Sequence, residues 1–165
     1  MASSIEEYDI VIVGGGIVGA VAACQLSQQY SKIALVDKGA PTTWQASDPL
    51  GLRVSALNLA SKQCFQQIGI WHEIESMRAY PYTSMFVWEH SGEAEIEFNA
   101  NETSYDSLGA IVENQVILAA LNNAIHNNEN VTRFNECSLK DCHAISNSAM
   151  LIELEDDQKL SSQLL

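Results

Sequence analysis

Residues Tyr8 to Lys38 constrain this chain more than any other stretch. An apolar strand, YDIVIV, runs into Gly14-Gly15-Gly16-Ile17-Val18-Gly19, then an Ala-rich helical segment, then a second apolar strand, KIALVDK. Gly14, Gly16 and Gly19 meet the G-x-G-x-x-G spacing. The first glycine permits a tight turn out of the strand, the second lets backbone approach a pyrophosphate, and the third lets helix and strand pack closely. The N–H groups of Val18 and its neighbours, at the positive end of the helix dipole, can receive phosphates. Asp37 closes the second strand 18 residues after Gly19. An acid there can accept hydrogen bonds from a ribose diol, which favours an unphosphorylated adenosine ribose, as in FAD or NAD, over NADP. The spacing predicts a helix from Ile17 to about Gln29, with Val18, Val21, Ala22 and Leu26 as packing positions and Ala20, Ala23 and Cys24 small enough to lie near a sheet.

At 165 residues, 47% hydrophobic and 18% charged, the chain has the composition of an ordinary globular domain with a real core. Its net charge of −13, with only 8 Lys and Arg, argues against a nucleic-acid or anionic-membrane partner, because phosphate-rich surfaces attract basic patches. The N-terminal MASSIEEYD has neither a basic nor an apolar leader region, and no stretch approaches the length of a membrane span, so the expected location is cytoplasmic. Cys24, Cys64, Cys137 and Cys142 show no C-x-x-C pairing, and His72, His90, His126 and His143 are scattered. Reduced thiols are expected, and no metal ligand is assigned.

After Lys38, the stretch GAPTTWQASDPLG reads as a long connection over the surface. Beyond it, Leu57, Ala60, Cys64, Phe65 and Ile68 share one side of a helical pattern that Gly69 closes. MFVWEH, the turn SGE and AEIEFNA form a hairpin candidate in which Ile96 and Phe98 alternate with acids, predicting a half-solvated sheet. VENQVILAALNNAIHNN predicts a helix with Val116, Leu121 and Ile125 inward, fraying into the polar run from His126 to Asn130. The remainder reads as short strands with Asn, Ser and Asp turns, and the acids Glu153 to Asp157 as a solvated bend.

Three segments occur in order: IVGGGIVGA, then LRVSALNLAS followed by IGIW, then GAIVENQVILAAL. Together they resemble the FAD-dependent aromatic hydroxylases of ubiquinone biosynthesis, flavin monooxygenases of the para-hydroxybenzoate hydroxylase class. The resemblance implies an α/β fold: a Rossmann-like FAD-binding βαβ unit with a parallel sheet and an added antiparallel meander or hairpin. It implies that Gly14, Gly15, Gly16, Ile17, Val18 and Gly19 hold the FAD pyrophosphate. Asp37 would hold the adenosine ribose, where the family more often has Glu. Arg53 would lie along the pyrophosphate or near the flavin, Val54 and Ser55 would bring backbone close to the cofactor, and Asn114 would approach it from the start of the third helix. Read on its own, without the surrounding motif, Arg53 is a surface arginine pairing with a local acid, while Asn114 reads equally as a helix N-cap.

The implied chemistry is hydroxylation of a polyprenylated phenol with dioxygen, NAD(P)H serving as co-substrate. The cofactor carries the difficult bond making, so no side chain is assigned a catalytic role. Residues 80–100, with Phe86 and Trp88, would add strands to the substrate-side sheet. Contact with the inner membrane or a multi-enzyme complex follows only from the greasy substrate, and homo-oligomer formation stays open. The class is about twice this length or more, so the chain is expected to be an incomplete, N-terminal part of the FAD-binding domain, inactive alone and lacking a parallel strand of the cofactor sheet. Two other readings stay open: an FAD oxidase of amino or hydroxy acids, which the first motif alone fits, and a non-catalytic nucleotide-binding or assembly module.

Overall fold

The computed structural model describes residues 5–90, 92, 94–146 and 149–164. The leader reading of residues 1–4, the hairpin-turn residues Ser91 and Glu93, the turn at Asn147 and Ser148, and Leu165 lie outside the described residues. The chain forms two compact units, one of residues 1–43 and 118–165, the other of residues 44–117.

The first unit is a six-stranded sheet. β1 (Ile5–Val13) leads through the glycine corner into α1 (Ile17–Leu26) and back into β2 (Ile33–Val36). β8 (Val131–Phe134), β9 (Leu139–Ser146), β10 (Ala149–Leu154) and β11 (Lys159–Leu164) complete it in the spatial order β8-β2-β1-β11-β10-β9. β1, β2, β8 and β11 are mutually parallel, while β9, β10 and β11 form an antiparallel meander. β2 is buried at all four positions, as expected of a parallel strand covered on both faces. Its core unites Tyr8, Val11, Ala34 and Val36 with Ile152, Leu154 and Leu160 of the meander.

β11 lies parallel to β1, from Ile5 opposite Lys159 to Ile10 opposite Leu164. α1 stops at Leu26, three residues short of the expected end, and Ser27 takes the C-cap position. Nor does the Asn-rich run fray. The Asn128 amide donates to Ser27 Oγ at 2.7 Å, and the Asn130 amide to the Ser27 carbonyl at 3.0 Å, pinning the end of α1.

The second unit holds β3 (Val54–Asn58), α2 (Leu59–Gln67), α3 (Trp71–Arg78), β4 (Ala79–Tyr82), β5 (Ser84–Trp88), β6 (Glu95–Asn99), one 3₁₀ turn and β7 (Gly109–Glu113). The strand β7 runs directly into α4 (Asn114–His126), whose residues from Leu118 onward belong to the first unit. β3 and β4 flank β7 in an antiparallel sheet, and β5 pairs with β6. Leu57, expected on a helix, is in β3, because Asn58 caps α2: its Oδ1 accepts the Ser61 amide at 2.9 Å. Gly69 does end α2, with φ +82. The helix α3, which the sequence pattern did not predict, buries Trp71 and Ile74. The hairpin forms as expected, but it is solvated on both faces rather than one: Val87, Ile96 and Phe98 are each about half exposed.

Candidate functional site

The glycine corner is built by backbone. Gly14 leaves β1 at φ +108, a conformation that disfavours any side chain, and its N–H donates to the Val36 carbonyl at 2.8 Å. α1 begins one residue after Gly16, whose carbonyl accepts the Ala20 amide at 2.9 Å. The first-turn amides of Ile17, Val18 and Gly19 therefore have no intrahelical acceptor. Gly16 offers no capping side chain, and no acid stands in the first turn, so the positive end of the dipole is not neutralised from within.

The three motif glycines meet different surroundings. A Cβ on Gly19 would sit 1.9 Å from the Gly14 carbonyl oxygen, so that position must be bare for the chain to pack at all. A Cβ on Gly16 would meet nothing within 4 Å. Gly16 thus faces open space beside uncapped amides, the arrangement a diphosphate linker requires. Val18, read as a packing residue, is 83% exposed, so its side chain leaves the corner open. These features fit a dinucleotide such as FAD.

Asp37 lies just past β2 and is tied to this corner. Its Oδ2 accepts the Gly15 amide at 2.5 Å and its Oδ1 the Gly39 amide at 2.7 Å. Each oxygen keeps a second lone pair for an outside donor such as a ribose hydroxyl.

The other expected cofactor residues lie in the second unit. Val54 and Ser55 open β3, opposite Glu113 and Val112 of β7. The Ser55 hydroxyl donates to Asn114 Oδ1 at 2.6 Å, and the Asn114 amide to the Arg53 carbonyl at 3.0 Å. Arg53, Ser55 and Asn114 thus stand together. Asn114 is the first helical residue of α4 rather than the residue before it. Arg53 is exposed, and its guanidinium makes no ion pair or hydrogen bond among the described residues, so the surface-pair reading finds no acid.

One arrangement in this unit escaped the sequence. The Arg78 guanidinium pairs with Glu113 at 3.2 Å and donates to the carbonyls of Asp48 at 2.6 Å and Ala46 at 3.1 Å. Glu113 Oε2 accepts the Gly51 amide at 2.6 Å. Together they fasten residues 46–51, directly ahead of Arg53. Phe-, Trp- or Gly-type signals announce nothing of this kind; the only hint was Glu113 standing next to Asn114.

The family model for FAD dependent oxidoreductases (DAO) matches residues 9–113, more than half of the chain. The chain belongs to this family. The match takes in the glycine corner, Asp37 and Arg53 through Ser55. Among curated relatives, the 3-demethoxyubiquinol 3-hydroxylase of Escherichia coli (strain K12) is 33% identical over 127 residues, 77% of this chain and 32% of that protein. The ubiquinone biosynthesis monooxygenase COQ6 of Drosophila melanogaster is 34% identical over 174 residues, 99% of this chain and 36% of that protein. The chain therefore spans about a third of the length of these relatives. Among solved structures, the p-nitrophenol 4-monooxygenase PnpA of Pseudomonas putida DLL-E4 superposes with a TM-score of 0.74 at 15% identity, over 97% of this chain and 40% of that one. The flavin-dependent monooxygenase PieE, in complex with FAD and substrate, gives 0.72 at 18% identity, over 99% and 30%. At these identities the two structures share the fold. No helix among the described residues is long and apolar enough to cross a membrane.

Proposed function

We propose that the protein carrying this chain is an FAD-dependent monooxygenase that hydroxylates a polyprenylated phenol in ubiquinone biosynthesis. The observation that carries the reading is the open, uncapped glycine corner braced by Asp37, in a chain about a third identical to hydroxylases of that pathway. The amides of Gly16 to Gly19 receive the diphosphate, Gly15 is braced by Asp37, and Asp37 turns its free lone pairs to the adenosine ribose. Arg53 supplies a fork of donors to the anionic cofactor. Val54, Ser55 and Asn114 bring backbone and a hydrogen-bonded amide alongside it. When bound, FAD supplies the chemistry, using electrons from NAD(P)H to activate dioxygen for insertion into an electron-rich ring. This chain's residues hold and orient; none moves a proton in the reaction. Residues 80–100 face the substrate side, and the prenyl tail brings the protein to the inner-membrane surface.

The test uses the product of the complete reading frame. Flavin released on denaturation is expected to be FAD, and turnover with NAD(P)H under ¹⁸O₂ is expected to place one labelled oxygen on a prenylated phenol. Peroxide formed in step with consumption of an amino or hydroxy acid, without label in a ring, would transfer the protein to the oxidases.

A further inference from the structure

A cleft of about 390 Å³, lined by none of the glycine-corner residues, opens in the first unit between residues 41–43, the last turns of α4 and the edge strand β8. Its volume is in the range of small-molecule sites. Arg133 lines it with Thr42, Asn122 and Asn135 on the polar side and Ile125 and Val131 on the apolar side. None of the lining residues is acidic.

Arg133 is held in place but not satisfied. Its Nη1 donates to Asn122 Oδ1, and the Asn122 amide is itself fixed by donating to the Thr42 carbonyl at 2.8 Å. Its Nε is buried and has no hydrogen-bond partner. A guanidinium carries five N–H donors, and an unpaired one out of water is costly. Burial lowers this guanidinium below its ordinary range; the field of Asp37 opposes that, yet the Asp37 carboxylate is engaged by the Gly15 and Gly39 amides. The charge is therefore oriented, partly desolvated at Nε and without a contacting counter-ion among the described residues. In a chain of net charge −13, a positioned arginine in a cleft with no carboxylate in its lining is a distinctive feature.

We propose that this cleft binds a small organic anion, its carboxylate or phosphate seated on Arg133 and its uncharged body against Ile125 and Val131. The fork of Arg133 suits either group, because both accept two parallel N–H donors. The cleft is larger than a bare inorganic ion needs, so the ligand has a body as well as a charge. Asn135 and Thr42 supply neutral polar contacts around it.

The chain is titrated calorimetrically with phenyl phosphate, benzoate and phenol. One of the two anions is expected to bind saturably at one site, at least tenfold more tightly than phenol, and the tighter of the two identifies the anion class. Arg133→Gln is expected to weaken it at least tenfold. Asn135→Asp places a negative charge on the cleft from an exposed position whose side chain makes no hydrogen bond among the described residues, so it keeps the test valid if Arg133→Gln unfolds. Gly16→Val, which fills the dinucleotide corner, is expected to leave probe binding unchanged. Unaltered binding in the Arg133 and Asn135 variants, or no saturable binding at all, overturns the proposal. Loss of binding in Gly16→Val would make the cleft part of the dinucleotide site and overturns it as a separate one. The FAD reading is untouched by either result.

Discussion

The Gly15 amide and the Asp37 carboxylate, 22 residues apart, are joined by a 2.5 Å hydrogen bond, and the other oxygen of Asp37 holds the Gly39 amide. The acid at the end of β2 is therefore a brace for the glycine turn before any ligand arrives. Asp37→Ala is expected to destabilise the chain by about 2 kcal/mol in urea unfolding without added FAD, since two amides lose a charged acceptor. Asp37→Asn, which keeps one acceptor oxygen, is expected to lose less. An acid that only contacted ribose would leave unfolding without cofactor unchanged.

Gly16 and Gly19 separate ligand from fold. Gly19→Ala drives a methyl to 1.9 Å from the Gly14 oxygen, so thermal unfolding is expected to show a large loss of stability or no folded protein. Gly16 has φ −65 and free space around its Cβ direction, so Gly16→Val is expected to leave the melting temperature within a few degrees of wild type. In the complete protein, retention of FAD is nonetheless expected to fall at least tenfold. Equal melting losses in both variants would show that Gly16 is bare for packing alone.

What the sequence made legible was local. β1, α1 and β2 could be read because an apolar run, a glycine spacing and an apolar run follow within one unit, and the strand's burial needs no distant partner to be guessed. The pairing of β11 with β1 could not be read, since it joins Ile10 to Leu164 and nothing in KLSSQL marks it as parallel. Leu57 was misplaced because VSALNLAS suits either period, and only the Asn58 cap decides where β3 yields to α2. At the candidate site, the glycines and Asp37 were visible as a motif. The Ser55 to Asn114 hydrogen bond and the Arg78 to Glu113 pair span 59 and 35 residues, and no periodicity encodes contacts of that range.

The Arg78 to Glu113 pair is largely shielded from water, with side chains 17% and 6% exposed, and Arg78 also lies over the Trp44 ring at 5.2 Å. Glu113→Ala is expected to destabilise by about 3 kcal/mol, because it strands a buried guanidinium. Glu113→Gln, which still accepts the Gly51 amide, is expected to cost less. Combining Arg78→Met with Glu113→Leu is expected to restore part of the loss from Glu113→Ala, since no charge is then left unpaired. The measurement is a urea unfolding series on the single and double variants. Strict additivity would show that the two side chains act independently.

The two-stranded hairpin of β5 and β6 is a contrast within the same unit. Two strands alone are marginally stable in water, and Phe86, Val87, Trp88, Ile96 and Phe98 remain about half exposed or more. Hydrogen exchange is expected to be fast at residues 84–88 and 95–99 and slow at residues 10–13 and 33–36, where strands are paired on both sides or buried. Protection of the hairpin equal to that of β2 would mean that it is covered in solution.

Cys24 gives the chain a weakness toward alkali. Its thiol is buried on the packing face of α1, and burial pushes it up to about 11 from an ordinary 9.0. Below pH 9 the thiol is protonated in both folded and unfolded chains, and its contribution to stability is complete. As pH rises from 9 toward 11, the unfolded chain releases its proton first, so the folded state loses that contribution across this window. Urea unfolding of the wild type is expected to weaken more between pH 9 and about 11, the window set by that shift, than unfolding of Cys24→Ala. Groups common to both proteins, such as the raised Tyr8 phenol, cancel in the comparison. The same burial predicts the order of thiol chemistry: at pH 8, about the usual working range for alkylation, the half-buried Cys64 and Cys142 are expected to react with iodoacetamide before Cys24. Parallel stability curves for the two proteins, or early modification of Cys24, would place this thiol in contact with water.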